Sequence, residues 1–318
     1  MKILIVGAGA TGGYFGALLA QAGRDVTFLV REGRAAALRE RGLRIVRPDG
    51  AEVAQLQPQF VTAAELAAGS PDHADTVLLT VKAAGLGPAI GDIRPAVGPG
   101  TTIVPVLNGL RHLDTLNAAF GPARVLGGVA IVATQLDSQG DIVAYSDAAQ
   151  VTIGTQDGQR TAALENTERL LNGAGFQLDV SDHILAAMWA KWAFIASVSA
   201  ATCLLGGTAG EIAAAGGAPV ARAVVGEAYQ VAAAAGYPVP DEEAERTAAM
   251  VTQPGSPFAS SLYRDLRQGR PVEVDTVLAD LADRGQAHGV PTPLLAAAVT
   301  ALRINNNRLA AGAPLSDP

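Results

Sequence analysis

Two features of the sequence contain residue types suited to chemistry: a glycine-rich turn near the start and a lysine in an apolar stretch further on. The turn follows the apolar run Lys2–Val6 and has the pattern GxGxxG. A strand before and a helix after give the context in which this pattern binds a dinucleotide pyrophosphate through close backbone approach and free helix N–H groups. The predicted dinucleotide-binding residues are Gly7, Ala8, Gly9, Ala10, Thr11 and Gly12.

The end of the second predicted strand, Asp25–Val30, indicates which dinucleotide binds. NAD sites usually place Asp or Glu there, to hold the ribose 2′-hydroxyl. This chain has Arg31, which suits a 2′-phosphate, and Arg34 could assist. We therefore predict NADP(H). Glu32 keeps an NAD-linked enzyme open, because a shift of one residue in register would make it the ribose ligand.

The lysine is Lys191, which lies between Trp189 and Trp192. A lysine ammonium beside a ketone can stabilise the developing alkoxide and supply its proton. Burial would lower its pKa towards a working pH. The alternative is a lysine at a helix edge whose ammonium extends into solvent.

Composition excludes several classes of protein. The 318 residues are 49% hydrophobic and 17% charged, which is typical of two folded domains and argues against disorder. A net charge of −7 argues against a nucleic-acid binder. The single cysteine, Cys203, and the lack of a charged-then-apolar leader predict a cytoplasmic protein. We expect no metal, because the four histidines lack ligand spacing. The uncharged stretch Trp192–Gly210 is interpreted as a buried core helix and not as a membrane span.

The pattern of apolar runs predicts an α/β fold, with a Rossmann-type doubly wound sheet followed by an all-α C-terminal domain. The boundary is placed near residue 181, giving domains 1–181 and 182–318. Further strands are predicted over Thr76–Val81, Thr102–Leu107 and Phe176–Val180, a hairpin-like insertion within Leu43–Val61, and Val125–Thr134 and Asp141–Gly154 as later strands of the same sheet or its edge. Helices are predicted over His183–Leu205, Ala209–Ala235, Asp241–Thr252, Val272–His288 and Thr292–Ala311.

Five motifs in order resemble those of the ketopantoate reductase (2-dehydropantoate 2-reductase) family, over nearly the whole chain. They are GAGATGGYFG at Gly7–Gly16, TVKA at Thr80–Ala83, LNG at Leu107–Gly109, WAK at Trp189–Lys191, and SSLYRD at Ser260–Asp265 with the EVD and GVPTP that follow. The resemblance implies NADPH-dependent reduction of a 2-oxo acid to a 2-hydroxy acid.

The resemblance also implies roles for individual residues. Lys191 would be the general acid, and Glu273 would hydrogen-bond the substrate or orient Lys191. Lys82 would lie near the cofactor, and Asn108 would touch both the nicotinamide ribose and the substrate. Ser261 would bind the substrate carboxylate.

The chain departs from the pantoate-making pattern where those enzymes carry polar residues. One and two helical turns after Lys191 stand Ile195 and Ser199, which share its helix face and are predicted to line the substrate. Ala209 and Phe258 replace two further polar residues. The pattern favours a pocket more apolar than ketopantoate requires, and hence a paralogue acting on another 2-oxo acid or carbonyl compound. A non-catalytic NADP sensor is the alternative outside enzymes, and a homodimer is a further expectation.

Overall fold

The computed structural model describes residues 1–69 and 73–312. The chain consists of two compact units. The first comprises Met1–Leu107 and His112–Ile184, and the second comprises Asn108–Arg111 and Leu185–Pro318. The short segment Asn108–Arg111 therefore packs with the helical unit although it follows a strand of the first unit.

The strands belong to the first unit. They are β1 (Lys2–Val6), β2 (Asp25–Leu29), β3 (Leu43–Val46), β4 (Glu52–Leu56), β5 (Gln59–Val61), β6 (Thr76–Leu79), β7 (Thr102–Pro105), β8 (Gly127–Leu136), β9 (Ile142–Gly154) and β10 (Gln177–Val180). β1, β6 and β7 are apolar, largely buried runs, as expected of the interior of a parallel sheet, whereas β4, β5 and β10 are more exposed.

Helices occur in both units. Those of the first are α1 (Ala10–Gln21), α2 (Glu32–Arg41), α3 (Ala63–Ala68), α4 (Leu86–Ile93), α5 (Arg111–Phe120) and α6 (Ala162–Leu171). Those that follow are α7 (Ile184–Leu205), α8 (Ala209–Ala214), α9 (Ala218–Ala234), α10 (Asp241–Val251), α11 (Ser261–Arg267), α12 (Asp280–Ala287) and α13 (Pro293–Ala310). A π-helical segment, Asp275–Ala279, leads into α12.

The main sheet confirms the predicted Rossmann-type architecture. Its five strands are parallel and run in the order β5-β2-β1-β6-β7. The chain moves outward on one side of β1 and then on the other, so the carboxyl end of β1 lies at the topological switch point where open α/β sheets bind ligands. The glycine turn begins at this point.

The placement of β8 and β9 corrects the prediction that they continue the main sheet. They pair antiparallel with each other in a second sheet, whose other strands are β10, β3 and β4. β9 has 13 residues, so β3 pairs with its first residues and β10 with its last. A bridge between Ile103 and Val125 connects the edge of the main sheet to the start of this segment.

Two predicted helices were also wrong in extent. The helix predicted over Ala209–Ala235 is two helices, because Gly216 has φ of 77° and Pro219 occupies the first turn of α9. The helix predicted from Val272 begins only at Asp275, in the π-helical segment. The short helix α11 was not predicted.

The part Trp192–Leu205 of the uncharged stretch lies in α7, as expected for a core helix, and the last residues of the stretch reach the start of α8. Within the described residues α7 alone has the length and mean hydropathy, 1.5, of a membrane span, and 61% of that window is buried inside the protein. Core helices of soluble proteins have the same properties.

Candidate functional site

The glycine turn is closed tightly at one glycine and open at another. Gly7 has φ of 98°, and its N–H donates to the Leu29 carbonyl at 2.9 Å. A Cβ built on Gly12 would lie 2.1 Å from Thr80 Oγ1 and 2.2 Å from the Gly7 oxygen, whereas one built on Gly9 meets no atom within 4 Å. Gly12 therefore permits the close packing, while Gly9 leaves space beside the N-terminus of α1, where a pyrophosphate would fit.

Thr80, directly after β6, holds this turn in place. Its hydroxyl lies 2.8 Å from the Val6 oxygen and 3.1 Å from the Gly7 oxygen, and can donate to either. In the sequence Thr80 is recognisable only as the first residue of the TVKA motif, which predicts no role for it. Its position at the end of the neighbouring strand is the signal that could have identified it.

Arg31 and the segment after Lys82 approach each other beside the turn. Arg31 precedes α2 in extended conformation, and its Nη2 lies 3.4 Å from a Cβ built on Gly85. Arg31 and Lys82 are both exposed. Because β2 and β6 both pair with β1, these two cations lie at the carboxyl ends of the strands beside the glycine turn. Glu32 is the first residue of α2 and is also exposed.

Arg34 donates hydrogen bonds to the backbone of two loops. Its Nε donates to the Ala8 carbonyl at 2.9 Å, and its Nη1 donates to the Gly140 carbonyl at 2.9 Å. Burial lowers the pKa of Arg34, and nearby Asp141 opposes this. With two donors bonded to backbone, Arg34 ties the glycine turn to the loop between β8 and β9, and its Nη2 is buried without a hydrogen-bond partner among the described residues. Assistance to Arg31 at a 2′-phosphate stays a prediction.

Lys191 is half-buried on α7, and its neighbours on that helix include the buried residues Met188, Trp189 and Trp192. Burial lowers its pKa from 10.5 to about 8. Within residues 1–69 and 73–312 no carboxylate or carbonyl accepts a hydrogen bond from its ammonium, so the structure contains no bond between Lys191 and Glu273. Among the described residues the ammonium has no hydrogen-bond acceptor, so its protons are available to a ligand.

The segments of Asn108, Lys191 and Glu273 meet within the helical unit around Trp192. The indole Nε1 donates to the Val277 carbonyl of the π-helical segment at 2.8 Å. A Cβ built on Gly109, the neighbour of Asn108, would lie 2.6 Å from the Thr276 oxygen and 3.8 Å from Cε2 of Trp192. The structure thus brings together the backbone segments of three predicted site residues.

Ser261 occupies a position distinct from that of its neighbour. Ser260 caps α11, because its hydroxyl accepts from the Tyr263 N–H at 2.9 Å, and it lies 3.0 Å from the Thr202 hydroxyl. Ser261 is the first helical residue and is exposed, so its hydroxyl is accessible to a ligand.

Three positions that depart from the pantoate-making pattern are buried to different degrees. Ile195 is half-buried on α7, and Ala209 is fully buried, with its N–H bonded to the Phe258 carbonyl at 2.9 Å. Ser199 is also fully buried, and its hydroxyl has no hydrogen-bond partner in the described part of the chain. A buried hydroxyl without a partner lowers stability, and contact of Ser199 with the substrate stays a prediction.

Comparison with known proteins shows which family the chain belongs to. The sequence model of "Ketopantoate reductase PanE/ApbA" matches residues 3–158, and that of the family's C-terminal part matches residues 183–306. The chain belongs to the ketopantoate reductase family. It is therefore an oxidoreductase with the fold of that family.

Relatives of this ketopantoate reductase family member match over nearly full length. It is 33% identical to an uncharacterized oxidoreductase, YkpB, of Bacillus subtilis, over 93% of this chain and 95% of that protein. It is 30% identical to a 2-dehydropantoate 2-reductase of Mesorhizobium japonicum, over 95% and 97%.

Solved structures share the fold. A 2-dehydropantoate 2-reductase from Methylococcus capsulatus superposes with a TM-score of 0.81 at 26% identity, covering 97% of this chain and 98% of that one. A D-mandelate dehydrogenase with NADH and anilino(oxo)acetate has a TM-score of 0.86 at 22% identity, covering 98% and 99%.

Proposed function

We propose that this protein reduces a 2-oxo acid to the 2-hydroxy acid with NADPH, and that Lys191 is the general acid. The observation that carries the proposal is the Lys191 ammonium, which has a pKa lowered to about 8 by burial and no protein partner among the described residues. Membership of a family of 2-oxo acid reductases supports the reaction class.

The residues of the first unit fit a dinucleotide. The space at Gly9 and the N-terminus of α1 suit a pyrophosphate, and Arg31 with Lys82 supplies positive charge beside it for a ribose 2′-phosphate. The bound nicotinamide would supply the hydride to the carbonyl carbon. Asn108 would hydrogen-bond the nicotinamide ribose and the substrate.

Lys191 would act on the carbonyl oxygen. As negative charge develops there, the ammonium stabilises it and transfers a proton from Nζ. A pKa of about 8 keeps most of the lysine protonated at neutral pH while making the proton easier to release than from an ordinary lysine. Reduction should therefore slow as pH rises through about 8, whereas the reverse oxidation, which needs the neutral amine, should accelerate.

The substrate should be less polar than ketopantoate. Ile195 lies one helical turn beyond Lys191, where it offers no hydrogen bond to a substrate hydroxyl. Leaving one hydroxyl unpaired costs about 1–3 kcal/mol, which is roughly ten- to a hundredfold in kcat/KM. Ser199 would retain one polar contact, and Ser261 with Glu273 would bind the carboxylate end and the reacting group.

Absorbance of reduced nicotinamide in the presence of a 2-oxo acid panel tests the proposal. The panel should contain ketopantoate, a branched aliphatic 2-oxo acid and an aryl 2-oxo acid, each with NADPH and with NADH. We include the aryl compound because a fold relative was solved with anilino(oxo)acetate. We expect the best kcat/KM with NADPH and an apolar 2-oxo acid. Ketopantoate as the best substrate would overturn the apolar specificity, and a preference for NADH would overturn the role of Arg31.

Two other proposals are tested by the same assays. An NAD-linked dehydrogenase is favoured by the exposed Glu32 at the start of α2, and would oxidise 2-hydroxy acids with NAD. A sensor would bind NADPH without turning over any compound. A cytoplasmic location and a homodimer stay predictions, and sedimentation at assay concentration tests the dimer.

A further inference from the structure

We propose that Trp192 is a positioning residue, which sets the segments of Asn108, Lys191 and Glu273 relative to one another through its indole N–H. The inference rests on the proposed function for its catalytic consequence. The residue follows Lys191 directly on α7 and is 1% exposed, so its effect must pass through what it contacts.

A chain of two hydrogen bonds connects Trp192 to the backbone at Glu273. Nε1 of Trp192 donates to the Val277 carbonyl at 2.8 Å. The Val277 N–H in turn donates to the Glu273 carbonyl at 3.3 Å. Val277 is completely buried, so water cannot replace the indole donor without local opening.

The local backbone at this junction is irregular and needs support. Asp275–Ala279 is π-helical, a conformation that is rare and concentrated at functional sites. The same indole ring lies 3.8 Å from the Cβ position of Gly109, which itself is 2.6 Å from the Thr276 oxygen. Gly109 has φ of 80°, so the turn that follows Asn108 is fixed by close approach to this segment.

Trp189 provides a matched control within the same helix. It is also buried, its ring stacks on Tyr237 at 5.7 Å, and Arg284 lies over both tryptophan rings, at 5.8 Å from Trp189 and 5.6 Å from Trp192. Of the two indoles, only that of Trp192 donates to the π-helical segment among the described residues. The two indole rings also contact each other, with centroids 5.0 Å apart, so replacing either by Phe alters this contact, whereas only Trp192→Phe removes the hydrogen bond.

The first measurement compares steady-state constants of the two variants with NADPH and the best 2-oxo acid. Trp192→Phe should lower kcat on the order of 10- to 100-fold, because small misplacement of reacting groups is costly, with KM for NADPH within about twofold of wild type. Trp189→Phe should retain kcat within about twofold. Equal kcat losses in the two variants would overturn the proposal, since packing alone would then explain them.

The second measurement does not depend on activity. Hydrogen–deuterium exchange of peptides covering residues 106–112 and 272–281 should rise in Trp192→Phe and stay at the wild-type level in Trp189→Phe. Unchanged exchange in Trp192→Phe would refute the positioning role. If wild-type protein turned over no 2-oxo acid, the proposed function would fail while exchange still decided the positioning.

An analogue of tryptophan that lacks the indole N–H tests the hydrogen bond with little change in the shape of the side chain at position 192. In the Trp189→Phe background Trp192 is the only tryptophan, so β-(benzothiophen-3-yl)alanine can be incorporated at that position alone. This analogue keeps the bicyclic shape and has sulfur in place of N–H. It should reproduce the loss of kcat and the faster exchange; wild-type values for both would show that the N–H has no role.

Discussion

Replacing Lys191 by methionine should stabilise the protein and abolish most of its activity at the same time. Burial lowers the Lys191 pKa from 10.5 to about 8, so the folded state binds the proton less tightly than the unfolded chain. Each tenfold change in proton affinity corresponds to about 1.4 kcal/mol, so the charged lysine costs the folded state about 3 kcal/mol at neutral pH. Methionine has similar length and carries no charge.

The pH dependence follows from the direction of the shift. Below pH about 8 the lysine is charged in both states and its full cost is present. Between about 8 and 10.5 the folded protein has lost the proton that the unfolded chain still binds, so wild-type stability rises with pH. The advantage of Lys191→Met should therefore be largest near pH 7 and should shrink by about 3 kcal/mol as pH approaches 10.5.

Urea unfolding at several pH values between 7 and 10.5 measures this difference. The chain has three lysines, so NMR of 13C-methylated protein can also follow Lys191 directly, with the variant assigning its signal. Lys82→Met, measured for stability alone, is the control, because Lys82 is exposed where Lys191 is half-buried. Turnover should fall about 100- to 10,000-fold in Lys191→Met. A pH-independent stability difference would refute the burial argument, and wild-type turnover would remove Lys191 from its role.

Three further predictions concern the glycine turn, the buried hydroxyl of Ser199 and the N-terminus of α13. Gly12→Ala should lower both stability and NADPH affinity, because its Cβ would lie 2.2 Å from the Gly7 oxygen, whereas Gly9→Ala should lower affinity alone; thermal unfolding and fluorescence titration with NADPH distinguish them. Ser199→Ala should stabilise by about 1 kcal/mol in urea unfolding, since its buried hydroxyl has no partner among the described residues, while Ser197→Ala, whose hydroxyl donates to a carbonyl at 2.6 Å, should not. Glu227→Ala should cost about 1–2 kcal/mol in the same assay, because its carboxylate accepts the first N–H groups of α13 at 2.9–3.1 Å; no loss would exclude capping.

Local patterns in the sequence were sufficient for four strands of the main sheet and for the glycine turn. The fifth strand, β5, pairs parallel with β2, although the sequence predicted it as part of the hairpin-like insertion Leu43–Val61. Lys2–Val6 and Asp25–Leu29 are short apolar runs that end at glycine or charge, so their boundaries follow from neighbouring residues. The spacing of the motif predicts glycine at Gly12. It does not predict which atoms require glycine there, namely Thr80 Oγ1 and the Gly7 oxygen.

Long-range pairings could not be inferred in this way. Nothing near Arg34 indicates that it bonds to Gly140, 106 residues away, so its charge was interpreted as a phosphate ligand. The two strands that share one edge of β9 also come from distant segments, β3 and β10. The π-helical segment beside Glu273 has no sequence signature, because its extra residue is stabilised by contacts such as the Trp192 indole.

The apolar character of α7 connects acid strength with substrate choice. A polar side chain at position 195 would both solvate an ammonium one turn away and hydrogen-bond a substrate hydroxyl, whereas Ile195 does neither. The same surroundings that lower the Lys191 pKa to about 8 would therefore disfavour a hydroxylated substrate. An apolar residue at position 195 would therefore make Lys191 a stronger acid and would at the same time remove a hydrogen bond to a hydroxylated substrate. We therefore propose that the positions that depart from the pantoate-making pattern change the substrate and leave the proton transfer from Lys191 in place.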